Sequence, residues 1–205
     1  MKNHFFLFVF TAAFLLSGCS VLDPKKDPAV YYVLNTTETP QLPPAAKRPE
    51  LALSVARVQL PAYLDRMEVV SRPAENRLEA SGTHLWMEPL GKACTRVFSQ
   101  DLAQRLGTGR LAIAPSLDIY SDALQVQVEI IRFDGEPGVE VKLRARWRLA
   151  WLATGKTLLT GEHAFAVPLT SKTDYEDYAG GMSKALNLLA EAVAQEIRKI
   201  NLPAS

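Results

Sequence analysis

Val139-Glu140-Val141-Lys142-Leu143-Arg144-Ala145-Arg146-Trp147-Arg148-Leu149-Ala150-Trp151 is the stretch that decides the fold. Apolar side chains fill the odd positions, and Glu140, Lys142, Arg144, Arg146 and Arg148 fill even ones. Successive side chains of a strand point to opposite faces, so this period of two predicts a long strand with one dry and one wet side. A sheet of antiparallel strands covered on one side has that pattern, whereas a strand buried on both sides would be apolar throughout.

Working outward, Asp134-Gly135-Glu136-Pro137-Gly138 reads as a turn. Before it, Leu124, Val126, Val128 and Ile130 alternate with Gln125, Gln127 and Glu129. After it, Thr154-Gly155-Lys156 supplies a second turn into a run over 157–167. Together these segments predict a three-stranded meander. Further out the period changes. Leu90, Ala93, Cys94, Val97, Phe98, Leu102 and Leu106 share one helical face, between Pro89, tolerable in a first turn, and Gly107, suited to a helix end. Tyr175, Tyr178, Ala179, Met182, Ala185, Leu186, Leu189, Ala192, Val193, Ile197 and Ile200 form a second stripe. Thr173-Asp174-Tyr175-Glu176 precedes it as a capping box, and Arg198-Lys199 suit its C-terminal dipole.

Nearer the N-terminus, Tyr31 to Leu34, Leu51 to Leu60, Met67 to Arg72 and Arg77 to Ala80 carry strand signals. A change of phase near Ala56-Arg57 indicates a bulge, and Pro61 ends that run. The prolines at 40, 43, 44 and 49 make 35–50 an extended loop. The order strands, helix, strands, helix predicts an α+β fold of two layers, a mainly antiparallel sheet with two helices packed on one face.

The N-terminal end predicts a secreted, lipid-anchored chain. Met1-Lys2-Asn3-His4 precedes an apolar run from Phe5 to Leu16, too short to span a bilayer well, and then Ser17-Gly18-Cys19. Leu16-Ser17-Gly18-Cys19 resembles the lipobox of bacterial lipoproteins, in which the Cys is acylated and becomes the first residue. Residues 1–18 are then a signal peptide, 19–30 a lipidated tether rich in Asp, Lys and Pro, and 31–205 a single α+β periplasmic domain. Ser20 stands where lipoproteins retained at the inner membrane typically carry Asp, which implies the outer membrane. Loss of Lys2 leaves the mature chain with no formal net charge, so the balance offers nothing to a nucleic acid. Of two cysteines, lipidation takes Cys19, and Cys94 is expected to be a buried core residue.

Catalytic chemistry is hard to find. His84, near the first helix, and His163, inside a strand, lie at no metal-ligand spacing from another His or Cys. There is no Gly-rich phosphate loop and no Gly-x-Ser-x-Gly elbow, so neither enzyme, metal nor cofactor is expected. The row Lys142, Arg144, Arg146, Arg148 places four cations on one face about 7 Å apart. That row reads either as a solvated sheet face or as a docking face for an acidic partner or a neighbouring subunit. Phospholipid headgroups come third.

Two segments carry a family resemblance. Leu60-Pro61-Ala62-Tyr63-Leu64-Asp65-Arg66, followed by Val69-Val70-Ser71-Arg72, resembles the signature of the ABC-type transport auxiliary lipoproteins, the PqiC/YmbA-like family. Trp86-Met87-Glu88-Pro89-Leu90, Tyr31-Tyr32-Val33-Leu34 and Arg146-Trp147 fit the same pattern, with a departure at Met67, where Pro is expected. The resemblance implies an outer-membrane-anchored, non-enzymatic accessory to MCE-type systems that carry lipid between the inner and outer membranes. It also implies an MCE-domain periplasmic protein as partner and self-association into a ring-like assembly. The alternative is a structural or scaffolding envelope lipoprotein. In the motif, Tyr63 and Leu64 are expected to anchor a corner between sheet and helix, and Asp65 and Arg66 to form ion pairs or cap backbone.

Overall fold

The computed structural model describes residues 28–36, 43, 47–116, 120–171 and 174–200. The signal segment, Cys19 and the tether up to residue 27 lie outside them, as does Thr173 of the capping box.

The fold is α+β, and its strands sort into two sheets. The larger has five: β2 (Leu53–Val55), β5 (Leu111–Ile113), β6 (Leu124–Glu136), β7 (Glu140–Trp151) and β8 (Thr157–Pro168), in the order β5-β2-β6-β7-β8. The expected meander is β6-β7-β8, antiparallel throughout. β2 joins it in parallel on one side and takes β5, also parallel, on the other. A smaller sheet has the order β1-β4-β3, from β1 (Val30–Tyr32), β3 (Glu68–Ala74) and β4 (Arg77–Trp86). β3 and β4 are antiparallel and β1 lies parallel to β4.

Helices α1 (Leu90–Leu106) and α2 (Tyr175–Lys199) pack on the apolar face of the large sheet and on each other. Val126, Val128, Val141, Leu143, Ala145, Trp147 and Leu149 form that face, and Phe98, Leu102, Leu186, Leu189 and Val193 close over it. Burying one such side chain contributes about 1.5–3 kcal/mol, so this layer dominates the stability. Cys94 belongs to it, fully buried, and burial pushes its thiol up. Local chemistry sets the helix ends. Pro89 precedes α1 and Gly107 ends it in the left-handed region, while Asp174 caps α2 by accepting the Glu176 N–H at 2.8 Å.

Three local readings change. The run over 51–60 forms a ladder only at Leu53–Val55, and then leaves it where the phase change falls, returning at Gln59 to bridge Glu129. The strand expected at 77–80 continues to Trp86, because backbone pairing with β1 and β3 persists past the polar Ser81–Thr83, so His84 belongs to β4. Asp134 and Gly135, read as turn residues, lie in β6, since the hairpin closes later, at Pro137-Gly138. A bulge between Ile130 and Arg132 shifts the phase, so that Asp134, paired with Lys142, faces away from the helices and meets Tyr63 and Arg72 there.

Candidate functional site

Two polar arrangements stand out, and the motif builds the first. Pro61 leads into a single 3-10 turn, Ala62–Leu64, whose Leu64 is buried in the core and whose Tyr63 points across the two sheets. The Tyr63 hydroxyl donates to Asp134 Oδ2 at 2.6 Å. Arg72, on β3, grips the same carboxylate with two bonds, Nε to Oδ1 at 2.8 Å and Nη2 to Oδ2 at 3.0 Å. Its guanidinium also lies 5.7 Å from the centre of the Tyr63 ring. Arg132 adds a third cationic bond, Nε to Oδ1 at 2.9 Å. Nearby, the buried Tyr178 of α2 donates its hydroxyl to Val70 O at 2.9 Å.

The Asp134 side chain is 0% exposed and that of Arg72 only 17%. Burial alone would raise the Asp134 carboxyl, but the hydrogen bonds from Arg72 and Tyr63 and the charge of Arg132 outweigh it and hold the group below the ordinary carboxylate range. Burial, followed by the bond to Asp134, pushes the Tyr63 phenol up to about 12. A carboxylate with every acceptor direction occupied has no lone pair to offer a substrate. Its chemistry is architectural: it ties β3 of the small sheet and the motif turn to β6 of the large one.

Other motif residues divide. Leu60 packs against the core, and Trp86 is buried at the end of β4, its backbone N–H donating to Met67 O at 2.6 Å. Asp65 and Arg66 are exposed, and neither forms an ion pair among the described residues. The ion pair expected of them is supplied from seven and six positions downstream, by Arg72.

The second arrangement is the polar face of the large sheet, away from the helices. Register places Gln127, Arg148 and Thr160 in one row across the strands, and Glu129, Arg146 and Glu162 in the next. Between these rows runs a groove of about 630 Å³, closed at one end by Ala56, Arg57 and Gln59. The intervening residues Val128, Trp147 and Gly161 send their side chains, where they have them, to the opposite face. There the Trp147 indole lies so close over Gly161 that a β-carbon at that position would overlap it.

The basic row is more balanced than its sequence implies. Glu162 on β8 receives Arg144 Nε at 2.6 Å and Arg146 Nε at 3.1 Å, and these bonds hold its carboxyl below the ordinary range. Lys142 pairs with Glu140 at 2.6 Å. Arg148 has neutral acceptors only among the described residues: Thr157 Oγ1 at 2.8 Å, Gly155 O at 3.0 Å and Gln127 Oε1 at 3.2 Å. Arg148 is thus the member of the row with no carboxylate partner among the described residues. Gln127 offers Arg148 a neutral acceptor from β6, whereas the carboxylate of the row comes from Glu162 on β8, which the sequence of β7 alone does not reveal. A register shift between Leu149 and Ala150, next to the turn at Thr154–Lys156, is what brings Glu162 opposite Arg146; counting back from the turn alone would have placed it opposite Ala145.

Both histidines have packing roles. His84 stacks on Tyr175 with ring centres 3.9 Å apart and shares a 2.8 Å hydrogen bond between its Nδ1 and the Tyr32 hydroxyl. His163 lies between the rings of Trp147 and Phe165.

Comparison with known proteins places these features in a family. A family model described as ABC-type transport auxiliary lipoprotein component matches residues 32–194. The crystal structure of XCC0632 from Xanthomonas campestris, of the family DUF330, superposes with a TM-score of 0.69 at 17% identity, covering 84% of this chain and 100% of the other. An uncharacterized protein superposes at 0.62 with 20% identity, covering 82% of this chain and 97% of the other. At these identities the likeness is one of fold. No curated protein matches the chain.

Proposed function

This chain belongs to the ABC-type transport auxiliary lipoprotein family, and from that premise we propose that it is the accessory lipoprotein of an MCE-type system that moves lipid between the inner and outer membranes. Membership makes it a membrane-anchored protein of the bacterial envelope. In this reading residues 1–18 are removed, Cys19 carries the acyl chains, 19–30 is the tether and 31–205 is one periplasmic domain. Ser20 sends the protein to the outer membrane. The domain then catalyses nothing: it holds an MCE-domain protein in place.

The observation that carries the docking role is the groove on the polar sheet face, with Arg148 uncompensated on one wall and Glu129 and the Arg146–Glu162 pair on the other. Such a face suits a partner segment bearing a carboxylate opposite Arg148, with Arg146 exchanging Glu162 for a second one. Charged rims of this kind govern orientation and encounter rate more than total affinity. The test is mild detergent extraction of the lipidated protein followed by mass spectrometry of what accompanies it. An MCE-domain protein should be recovered with wild type and lost with the Arg146→Ala, Arg148→Ala double variant. Recovery of peptidoglycan or unrelated scaffolding proteins alone would overturn the reading.

A further inference from the structure

We infer that the domain makes a second contact with the lipid surface, separate from its acyl anchor, through the apolar edge of the small sheet formed by Tyr31, Val33, Leu85 and Met87. The inference rests on the lipoprotein reading above and goes beyond it. An acyl anchor alone leaves the domain free to tumble on its tether, whereas a second contact fixes which way the sheet face points.

Three observations carry it. Seven large hydrophobic side chains are exposed among the described residues, and three of them, Tyr31, Val33 and Met87, lie on one face of this edge. Clustering of this kind marks an interaction surface, whereas single exposed apolar residues do not. The register then puts the right residues on one side. Tyr31 pairs with Leu85 and the Met87 N–H donates to Tyr32 O at 2.8 Å, so Tyr31 and Val33 alternate onto the same face as Leu85 and Met87. Tyr31 is 52%, Val33 45% and Met87 64% exposed.

The third observation is position in the chain. β1 is the edge strand of its sheet and the first strand after the tether. Tyr31 follows Cys19 by twelve residues, a reach of at most about 40 Å even when fully extended. With the acyl chains in the bilayer, the patch is therefore confined near the headgroups, and a weak apolar contact becomes populated because it is intramolecular in effect. A tyrosine flanked by valine and methionine suits that layer, where one end of the ring meets water and the other hydrocarbon. Glu68 pairs with Leu85 on the same face. This carboxylate favours a mostly zwitterionic surface over a strongly anionic one.

The protein itself makes the experiment clean. Cys94 is buried with its thiol pushed up, and Cys19 carries lipid, so one introduced cysteine takes a dye selectively. The full lipidated chain would be prepared as Val33→Cys, Met87→Cys and, as control at the far end of β4, Glu79→Cys. Each would carry a polarity-sensitive dye in vesicles of phosphatidylethanolamine with a minor fraction of phosphatidylglycerol. Doxyl-labelled lipid should quench positions 33 and 87 at least about twofold more than position 79, with aqueous iodide showing the reverse order and high salt changing neither.

Two results overturn the inference while leaving the anchor intact. In one, the protein floats with the vesicles while positions 33 and 87 are as open to iodide as position 79. In the other, they are shielded from both quenchers, which means that protein covers the edge. A chain that fails to float at all removes the anchor reading, and the inference falls with it.

Discussion

Two arginine–carboxylate clusters in this fold use the same chemistry in opposite surroundings. Around Asp134, two arginines and a tyrosine hydroxyl saturate a carboxylate with no exposed surface. Around Glu162, two arginines share a carboxylate on an open sheet face, with both arginine side chains more than half exposed. Breaking a buried pair leaves a charge that water cannot reach, whereas an exposed pair exchanges protein partners for water at little cost. The first cluster therefore holds the two sheets together, and the second is free to trade partners. The family motif serves the first; the basic row of β7 belongs to the second.

The contrast can be broken most sharply at Arg72. Arg72→Ala should destabilise the domain by about 3–5 kcal/mol, read as a fall in the urea midpoint, because Asp134 stays buried with fewer cations. A midpoint close to wild type would mean that water reaches the cluster. Tyr63→Phe should cost less, about 1.5–3 kcal/mol, by removing one hydrogen bond to a charged acceptor.

Acid and alkali sharpen the comparison further. The Asp134 carboxyl is held low, so its stabilising contribution is whole above an unfolded pKa of about 4 and is lost as the pH falls through the folded value. Asp134→Asn should flatten that acid limb in unfolding curves taken across it. The Tyr63 phenol is raised from 10.0 to about 12, so its contribution is whole below pH 10.0 and is lost as the pH rises toward 12. Tyr63→Phe should make the alkaline limb shallower than in wild type. The smallest effect on folding belongs to the open face: Glu162→Gln should leave the urea midpoint unchanged within error, and a clear fall would place Glu162 among the structural residues.

The large sheet was legible because its pattern is repetitive. Eleven residues of strict alternation, 139–149, fix β7, and two turn sequences fix its neighbours. The helices were equally plain, with Pro89, Gly107 and Asp174 at their ends. The small sheet and β5 were harder to read, since β1 and β5 have three residues each and owe their pairing to distant strands. Asp134 was missed for a different reason. Asp-Gly is a strong turn signal taken locally, and only the bulge after Ile130 and the later turn at Pro137-Gly138 carry it into the strand. The candidate groove was half legible: the row of cations is written in one strand, but its neutralisation by Glu162 depends on the register of the next.

The claim that the open face is where this lipoprotein meets its transport partner is tested most directly by site-specific crosslinking from that face. A photo-crosslinking residue at Thr160, on the wall of the groove, should capture an MCE-domain protein in intact cells. The same residue at Glu79, on the small sheet, should not. Capture at Glu79 with none at Thr160, in protein whose urea midpoint matches wild type, would contradict the account and move the docking site away from the large sheet.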